Sequence, residues 1–67
     1  MSDFRGRLFE EHTQLSQRID KLKEFIISEK YDALSEIDRS DLKEQLAHME
    51  RYFGVISRRV SRQCNNA

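Results

Sequence analysis

The chain has 67 residues, twelve basic and twelve acidic, with two glycines and no proline. This length allows one small domain, and the net charge of zero excludes a uniformly basic protein that holds nucleic acid or an anionic membrane by its whole surface. The longest apolar run, residues 25–27, is too short to cross a bilayer, and the single Cys64 excludes an internal disulfide and favours a reducing compartment.

The first predicted element is a helix over about residues 3–28, in which apolar side chains recur at the spacing of an amphipathic helix. Its seam positions are Arg5, Leu8, His12, Leu15, Ile19, Leu22 and Ile26, of which five are aliphatic. Ser2 or Asp3 can cap this helix, because either side-chain oxygen accepts a backbone N–H. His12 falls near residue 55 of the second helix, so we expect a boundary side chain with a hydrogen-bond partner. The alternative is a ligand or pH switch.

A hinge over residues 29–38 is predicted to form a short helical turn folded back on the helices, because it is too apolar for a free linker. Its apolar residues are Tyr31, Ala33, Leu34 and Ile37. Ser35 and Asp38 have the spacing of a capping box, and Asp38 or Ser40 could cap a later start.

The second helix is predicted over about residues 39–62. All six of its seam positions are apolar, namely Leu42, Leu46, Met49, Phe53, Ile56 and Val60. Residues 63–67 are expected to fray.

These elements predict one all-α domain, an antiparallel two-helix hairpin with a short helical turn at its hinge. A two-helix hairpin leaves apolar side chains uncovered beside its seam, and small chains commonly bury them by oligomerising. We therefore predict a symmetric helical-bundle homo-oligomer, either a dimer or a higher assembly. The expected interface residues are Phe9, Phe25, Phe53, Gly54 and Val55. Gly54 costs about 1 kcal/mol in a helix relative to alanine, so it either permits a close backbone approach or is simply tolerated.

The net charge of zero conceals a gradient along the chain. Residues 51–67 carry four arginines and no acid, whereas residues 29–50 carry seven acidic and three basic residues. Arginine presents a rigid donor fork that matches phosphate or carboxylate, so the open end of the hairpin is a candidate anion site. The alternative is that these arginines serve only the helix dipole and solubility.

The antiparallel register, in which residue i lies opposite residue 67 − i, brings further side chains to that end. It groups Arg7 and Glu11 with Arg59, and it places Tyr52 one turn further in. The side chains that join them at this end are Arg5, Phe4 and Phe9, and the aromatic rings could stack a base. A plain interhelical ion-pair network is the alternative.

Catalytic and metal-binding motifs are absent from the sequence. It contains no Gly-rich phosphate loop, no H-E-x-x-H and no nucleophile elbow. Glu44 and His48 have the spacing of two metal ligands, but two ligands do not make a site. No base is positioned near Cys64 to activate its thiol. We therefore expect no enzymatic activity, no metal and no cofactor.

The polar residues of both helices resemble those of a group of small, mostly uncharacterised phage and prophage proteins related to a crAss-like phage protein. The resemblance covers residues 4–60, and its specific positions are Arg7, Glu11, Gln45, Tyr52 and Arg59. It implies an origin in a phage or prophage genome, and hence the cytoplasm of a bacterial host cell, rather than an activity.

The function expected from these features is a non-enzymatic, anti-defence phage accessory protein that sequesters a host immune nucleotide signal, such as a cyclic nucleotide, or another anionic ligand. The expected pocket residues are Arg7, Glu11, Tyr52, Arg58, Arg59 and Arg62. One alternative is a protein–protein interaction module that inhibits a host protein or serves as a structural adaptor. The other is a small helical-bundle nucleic-acid binder, which is disfavoured because the basic residues concentrate at one end.

Overall fold

The structure, a computed structural model, describes residues 4–65 and the side chains of residues 5–64. It contains three helices, α1 (Phe4–Ile26), α2 (Glu29–Asp32) and α3 (Glu36–Asn65). No strand occurs among the described residues, which confirms the predicted all-helical class. None of the helices in this part of the chain has the length and apolar character that a membrane span needs.

Two serines determine where the helices begin and end. The Ser28 hydroxyl donates to the Phe25 carbonyl at 2.6 Å and accepts from the Tyr31 amide at 3.4 Å, so α1 ends two residues before the predicted limit and α2 follows. The Ser35 hydroxyl accepts from the Asp38 amide at 3.1 Å. Ser35 is therefore the cap of α3, which begins three residues before the predicted start.

The far end of α3 also differs from the sequence prediction. The helix continues through Gln63 and Cys64 to Asn65, whereas residues 63–67 were expected to fray. Gln63 Oε1 accepts a hydrogen bond from Arg5 Nε at 3.0 Å, which ties this turn to the start of α1. The predicted cap at Ser2 or Asp3 lies outside the described residues, as does the part of the tail over residues 66–67.

The core lies between α1 and α3, which run in opposite directions. Arg5 contacts Gln63 at one end, and Lys23 forms an ion pair with Glu50 at 3.3 Å nearer the hinge. The fully buried side chain at the centre is Ile56, with 0% exposure. Its buried neighbours are Leu8, Leu15 and Ile19, and the partly buried side chains around them are Leu46, Met49, Phe53 and Val60. All of these occupy predicted seam positions.

The hinge is held by Tyr31, which is buried in α2. Its hydroxyl donates to the Arg39 carbonyl at 3.1 Å, and its ring meets the Phe25 ring edge-on with centroids 6.4 Å apart. This contact agrees with the prediction of a turn folded back on the helices. Ile37, expected to contribute to that apolar hinge, is instead 74% exposed, because it lies about 140° around α3 from the seam position Leu42.

His12 occupies the seam, as its position in the repeat predicts. Its Nε2 lies 3.1 Å from the Ser57 hydroxyl, so the expected hydrogen-bond partner is present two residues beyond the predicted position 55. The ring also stacks on Phe53, with centroids 4.6 Å apart. These contacts give His12 a structural role between the two long helices.

Candidate functional site

A row of polar side chains runs along one side of the α1–α3 pair, and we call it the polar flank. Its α1 residues are Arg7, Glu11, Gln14 and Arg18, and its α3 residues are Asp41, Gln45, His48, Tyr52 and Arg59. Within each helix the spacings are three, four or seven residues, which keeps the side chains on one face. Because neighbouring surface depressions share Arg7 and Glu11, and Glu11 contacts Tyr52, the flank is continuous.

The centre of the polar flank is a hydrogen bond between the two helices. The Tyr52 hydroxyl donates to Glu11 Oε2 at 2.6 Å. Beside this bond, Arg7, Glu11 and Arg59 line a depression of about 130 Å³ over Leu8. The structure therefore brings together the four polar residues that the antiparallel register places at this end of the molecule.

The environment of Tyr52 combines one negative and one positive neighbour. The hydrogen bond to the Glu11 carboxylate is the main cause that raises the pKa of the Tyr52 phenol above 10.0, and the positive charge of Arg59 opposes this shift. Tyr52 as a residue stays 45% exposed. Tyr52 thus keeps its proton at neutral pH and donates a hydrogen bond to Glu11, while part of the residue stays accessible.

Two of the expected pocket residues do not line the central depression. Arg58 and Arg62 are exposed on α3, but the described lining contains only Arg7 and Arg59 as cations. At 100° per residue, Arg58 is turned about 100° from Arg59 around the helix. The four arginines of residues 51–67 are therefore close together in the sequence, but they do not all point to the same depression of one chain.

Several members of the polar flank lie outside the site predicted from the sequence. A second depression, of about 380 Å³, lies along α1 and is lined by Arg7, Glu10, Glu11, Gln14 and Arg18. A third, of about 580 Å³, lies along α3 and is lined by Asp41, Glu44, Gln45, His48, Met49 and Tyr52. The signal that could have identified them is the polar repeat at helical spacing from Arg7 and Tyr52.

Metal binding finds no support in the described side chains. Within residues 4–65, no group of three or more His, Cys, Asp or Glu residues is arranged to hold a metal ion. Glu44 Oε2 and His48 Nε2 lie 4.0 Å apart on an exposed turn of α3. This is the contact expected of an exposed i, i+4 pair.

The expected interface residues fall into two groups. Phe9 and Val55 are each 40% exposed, and a side chain at Gly54 would meet no atom within 4 Å. By contrast, Phe25 packs against Tyr31, and Phe53 packs against the core. Of the expected interface residues, Phe9 and Val55 are therefore the side chains that stay exposed, and Gly54 leaves open space beside α3.

A family model described as Sequestin matches residues 2–62 of the chain. The match covers α1, α2 and all but the last three residues of α3, and it includes all five polar positions on which the resemblance to phage proteins was based. It does not confirm the relation to a crAss-like phage protein. No significant match was found among curated proteins or among solved structures. The name of the family suggests a protein that binds and sequesters a ligand or partner.

Proposed function

The chain belongs to the Sequestin family, and we propose that it acts by sequestering a host immune nucleotide signal, such as a cyclic nucleotide, at the centre of its polar flank. In this proposal the protein is an anti-defence accessory of a phage or prophage, and it meets its ligand in the cytoplasm of the bacterial host. It is not an enzyme and returns the ligand unchanged. The fall in the free concentration of the signal then depends only on the amount of the protein and on its affinity for the ligand.

The observation that carries the proposal is the meeting of Arg7 and Arg59 with Tyr52 on one face of the helix pair. Guanidinium groups bind phosphate through charge-assisted and often bidentate hydrogen bonds. An accessible aromatic ring stacks a base and contributes about 1–3 kcal/mol. A nucleotide carries both a phosphate and a base on its sugar, so the two kinds of protein group needed to hold one lie side by side.

We further propose that a second copy encloses the ligand. The central depression is open and offers two arginines in one chain, whereas a cyclic dinucleotide has two phosphates and two bases to cover. Phe9 and Val55 are apolar and each 40% exposed, and Gly54 leaves open space beside its helix, so these positions can contact further copies in a symmetric dimer or higher assembly. Light scattering should give a mass of at least two chains, and a monomer at micromolar concentration would contradict this step.

A thermal-shift screen with cyclic di- and trinucleotides tests the binding function. A ligand present at 100 times its Kd adds about 2.7 kcal/mol to the apparent stability. For a chain of this size each kcal/mol raises Tm by roughly 4–8 °C, so a clear shift is expected. No shift with any of these ligands at millimolar concentration would refute the proposal.

A pair of matched variants tests the location of the site. Arg59→Ala removes a cation from the central depression and should abolish most of the ligand-induced shift. Arg51→Ala removes the same charge from the same helix two turns away and should retain the shift. Equal losses in the two variants would indicate that only the overall charge matters.

An interaction module that inhibits a host protein is the second candidate function, and the exposure of Phe9 and Val55 favours it. It requires that these side chains stay uncovered in the purified oligomer. Capture of one defined host protein by the wild type, lost in Phe9→Ala and unaffected by Arg59→Ala, would support this candidate over nucleotide binding.

A further inference from the structure

A second row of side chains runs along the other side of the α1–α3 seam from the polar flank, and we call it the neutral flank. Its members are Phe9 and His12 of α1, and Phe53, Ser57, Ser61 and Cys64 of α3. The spacings within each helix are three or four residues, which keeps these side chains on one face. Charged residues make up 36% of the chain, yet the neutral flank contains no Asp, Glu, Lys or Arg.

Two hydrogen bonds between the long helices place the two flanks on opposite sides of the core. On the polar flank, the Tyr52 hydroxyl donates to Glu11 at 2.6 Å. On the neutral flank, His12 Nε2 lies 3.1 Å from the Ser57 hydroxyl. At 100° per residue, Ser57 is turned about 140° from Tyr52 around α3, with the buried Ile56 between them. A partner that covers the neutral flank therefore leaves the polar flank open.

The neutral flank is accessible in a single chain. Phe9 is 40% exposed, and Ser61 and Cys64 are exposed as well. A partly exposed aromatic ring beside uncharged side chains is typical of the core of a protein interface, where charged residues are depleted and aromatic residues enriched. Toward the hinge this side continues with Lys23 and Glu50, which pair with one another at 3.3 Å. An ion pair at the edge of a neutral patch is typical of the polar rim of an interface.

The absence of charge favours a second copy of this chain as the partner. In an isologous interface the same patch is contributed by both copies, so a charge near the two-fold axis faces its own counterpart and is repelled. A neutral patch avoids this repulsion. A different protein could carry the opposite charge and would gain specificity from charged residues on this side, so it would not require their depletion.

We propose that the neutral flank is an isologous interface, through which two copies of the chain associate back to back. Phe9 is the apolar side chain that this contact covers. Each polar flank then lies on an outer side of the pair, so a copy that encloses the ligand there is a different one. This inference goes beyond the proposed function and does not depend on which ligand binds.

Phe9→Glu tests the interface, because it removes the apolar ring and places like charges across the two-fold axis. It should raise the dissociation constant of this contact by about 100-fold or more. At a concentration where the wild type is fully assembled, the mass in light scattering should fall by half. The factor is the same for a dimer and for a larger assembly of such dimers. Nucleotide binding should persist, since the polar flank is unchanged.

Ile37→Glu is the matched control, because it places the same charge at an apolar residue that is 74% exposed near the hinge. It should keep the mass of the wild type. Ser61→Arg adds a charge to the neutral flank without removing an apolar group, and it should also halve the mass. Its control is Ser40→Arg, the same substitution at an exposed residue about 30 Å away along α3. Circular dichroism checks that all four variants keep their helices.

Cys64, the single thiol of the chain, reports whether the neutral flank is covered. Its reaction with an uncharged maleimide should be slower in the assembled wild type than in Ser61→Arg at the same concentration. Dilution of the wild type should bring the two rates together. Equal rates at the higher concentration would overturn the proposal.

The remaining outcomes of the mass measurement are equally decisive. A monomeric wild type, or an unchanged mass in both Phe9→Glu and Ser61→Arg, overturns the proposal. Equal dissociation in Ile37→Glu and Ser40→Arg shows that added charge acts without regard to position, and it also overturns the proposal. A defined host protein that binds through Phe9, with no change of mass in Phe9→Glu, would assign the flank to that protein instead. Halved mass without nucleotide binding in any variant or in the wild type supports the interface and refutes only the proposed function.

Discussion

Substitution of Ile56 tests whether the α1–α3 seam is the main source of stability. Ile56 has 0% exposure and lies in the cluster with Leu8, Leu15 and Ile19. Truncation to alanine removes buried methyl groups and leaves a cavity, which costs about 2–5 kcal/mol. At roughly 0.05–0.15 kcal/mol per residue, a chain of 67 residues has a total stability of about 3–10 kcal/mol. Ile56→Ala should therefore remove a large fraction of the stability.

Ile37→Ala is the matched control, because it makes the same substitution in the same helix at a residue that is 74% exposed. Both variants gain the same small amount of helix propensity. The control should stay within about 0.5 kcal/mol of the wild type. The difference between the two variants thus isolates the contribution of burial at Ile56.

Urea denaturation followed by circular dichroism measures both variants. The titrations should be run at several protein concentrations, since the stability of an oligomer depends on concentration. Ile56→Ala should unfold at a much lower urea midpoint than Ile37→Ala at every concentration. Equal midpoints, or a lower midpoint for Ile37→Ala, would refute the assignment of the core to this seam.

Three further changes test the cap, the glycine and the central hydrogen bond. Ser35→Ala removes the acceptor of the Asp38 amide and should cost about 1 kcal/mol in urea denaturation; an unchanged midpoint would mean that another group caps α3. The methyl group that Gly54→Ala introduces meets no other atom of the chain, so the substitution should add about 1 kcal/mol to the free energy of unfolding. A lower urea midpoint, together with a smaller mass in light scattering, would instead place a second copy against Gly54. The Tyr52 phenol should titrate above pH 10.0 in an NMR experiment, and Glu11→Gln should bring its pKa back toward 10.0. Because the pKa of Tyr52 is higher in the folded than in the unfolded chain, the stability that this hydrogen bond contributes is complete below about pH 10 and is lost as the pH rises through the raised pKa. Titration of the wild-type phenol at or below pH 10.0 would contradict the hydrogen bond to Glu11.

The spacing of apolar residues was enough to predict the helical class and the core. Leu8, Ile19 and Ile56 are buried because they recur on the face that each long helix turns to the other. The spacing of apolar residues does not predict where the helices begin and end, because these positions depend on single side-chain hydrogen bonds. Ser28 was not recognised as a cap, and Ser35 was one of three candidates for the start of α3.

The candidate site was predictable only in part, for a geometric reason. The antiparallel register placed Arg7, Glu11 and Arg59 together, because residues at a fixed sum of sequence numbers lie opposite one another. Residues that are neighbours in the sequence need not lie together in space, since successive helical residues point about 100° apart. For this reason Arg58 lies outside the depression that its neighbour lines. The proposed contribution of a second copy depends on contacts between chains, which the periodicity of one chain does not encode.

The most direct test of the account is calorimetric titration of the purified protein with the cyclic nucleotide that gives the largest thermal shift, followed by recovery of the ligand. The account predicts saturable binding that Arg59→Ala abolishes and Arg51→Ala retains. After the protein is denatured, chromatography should return the ligand chemically intact. Absence of binding, or a ligand that is cleaved during the incubation, would contradict sequestration at the polar flank.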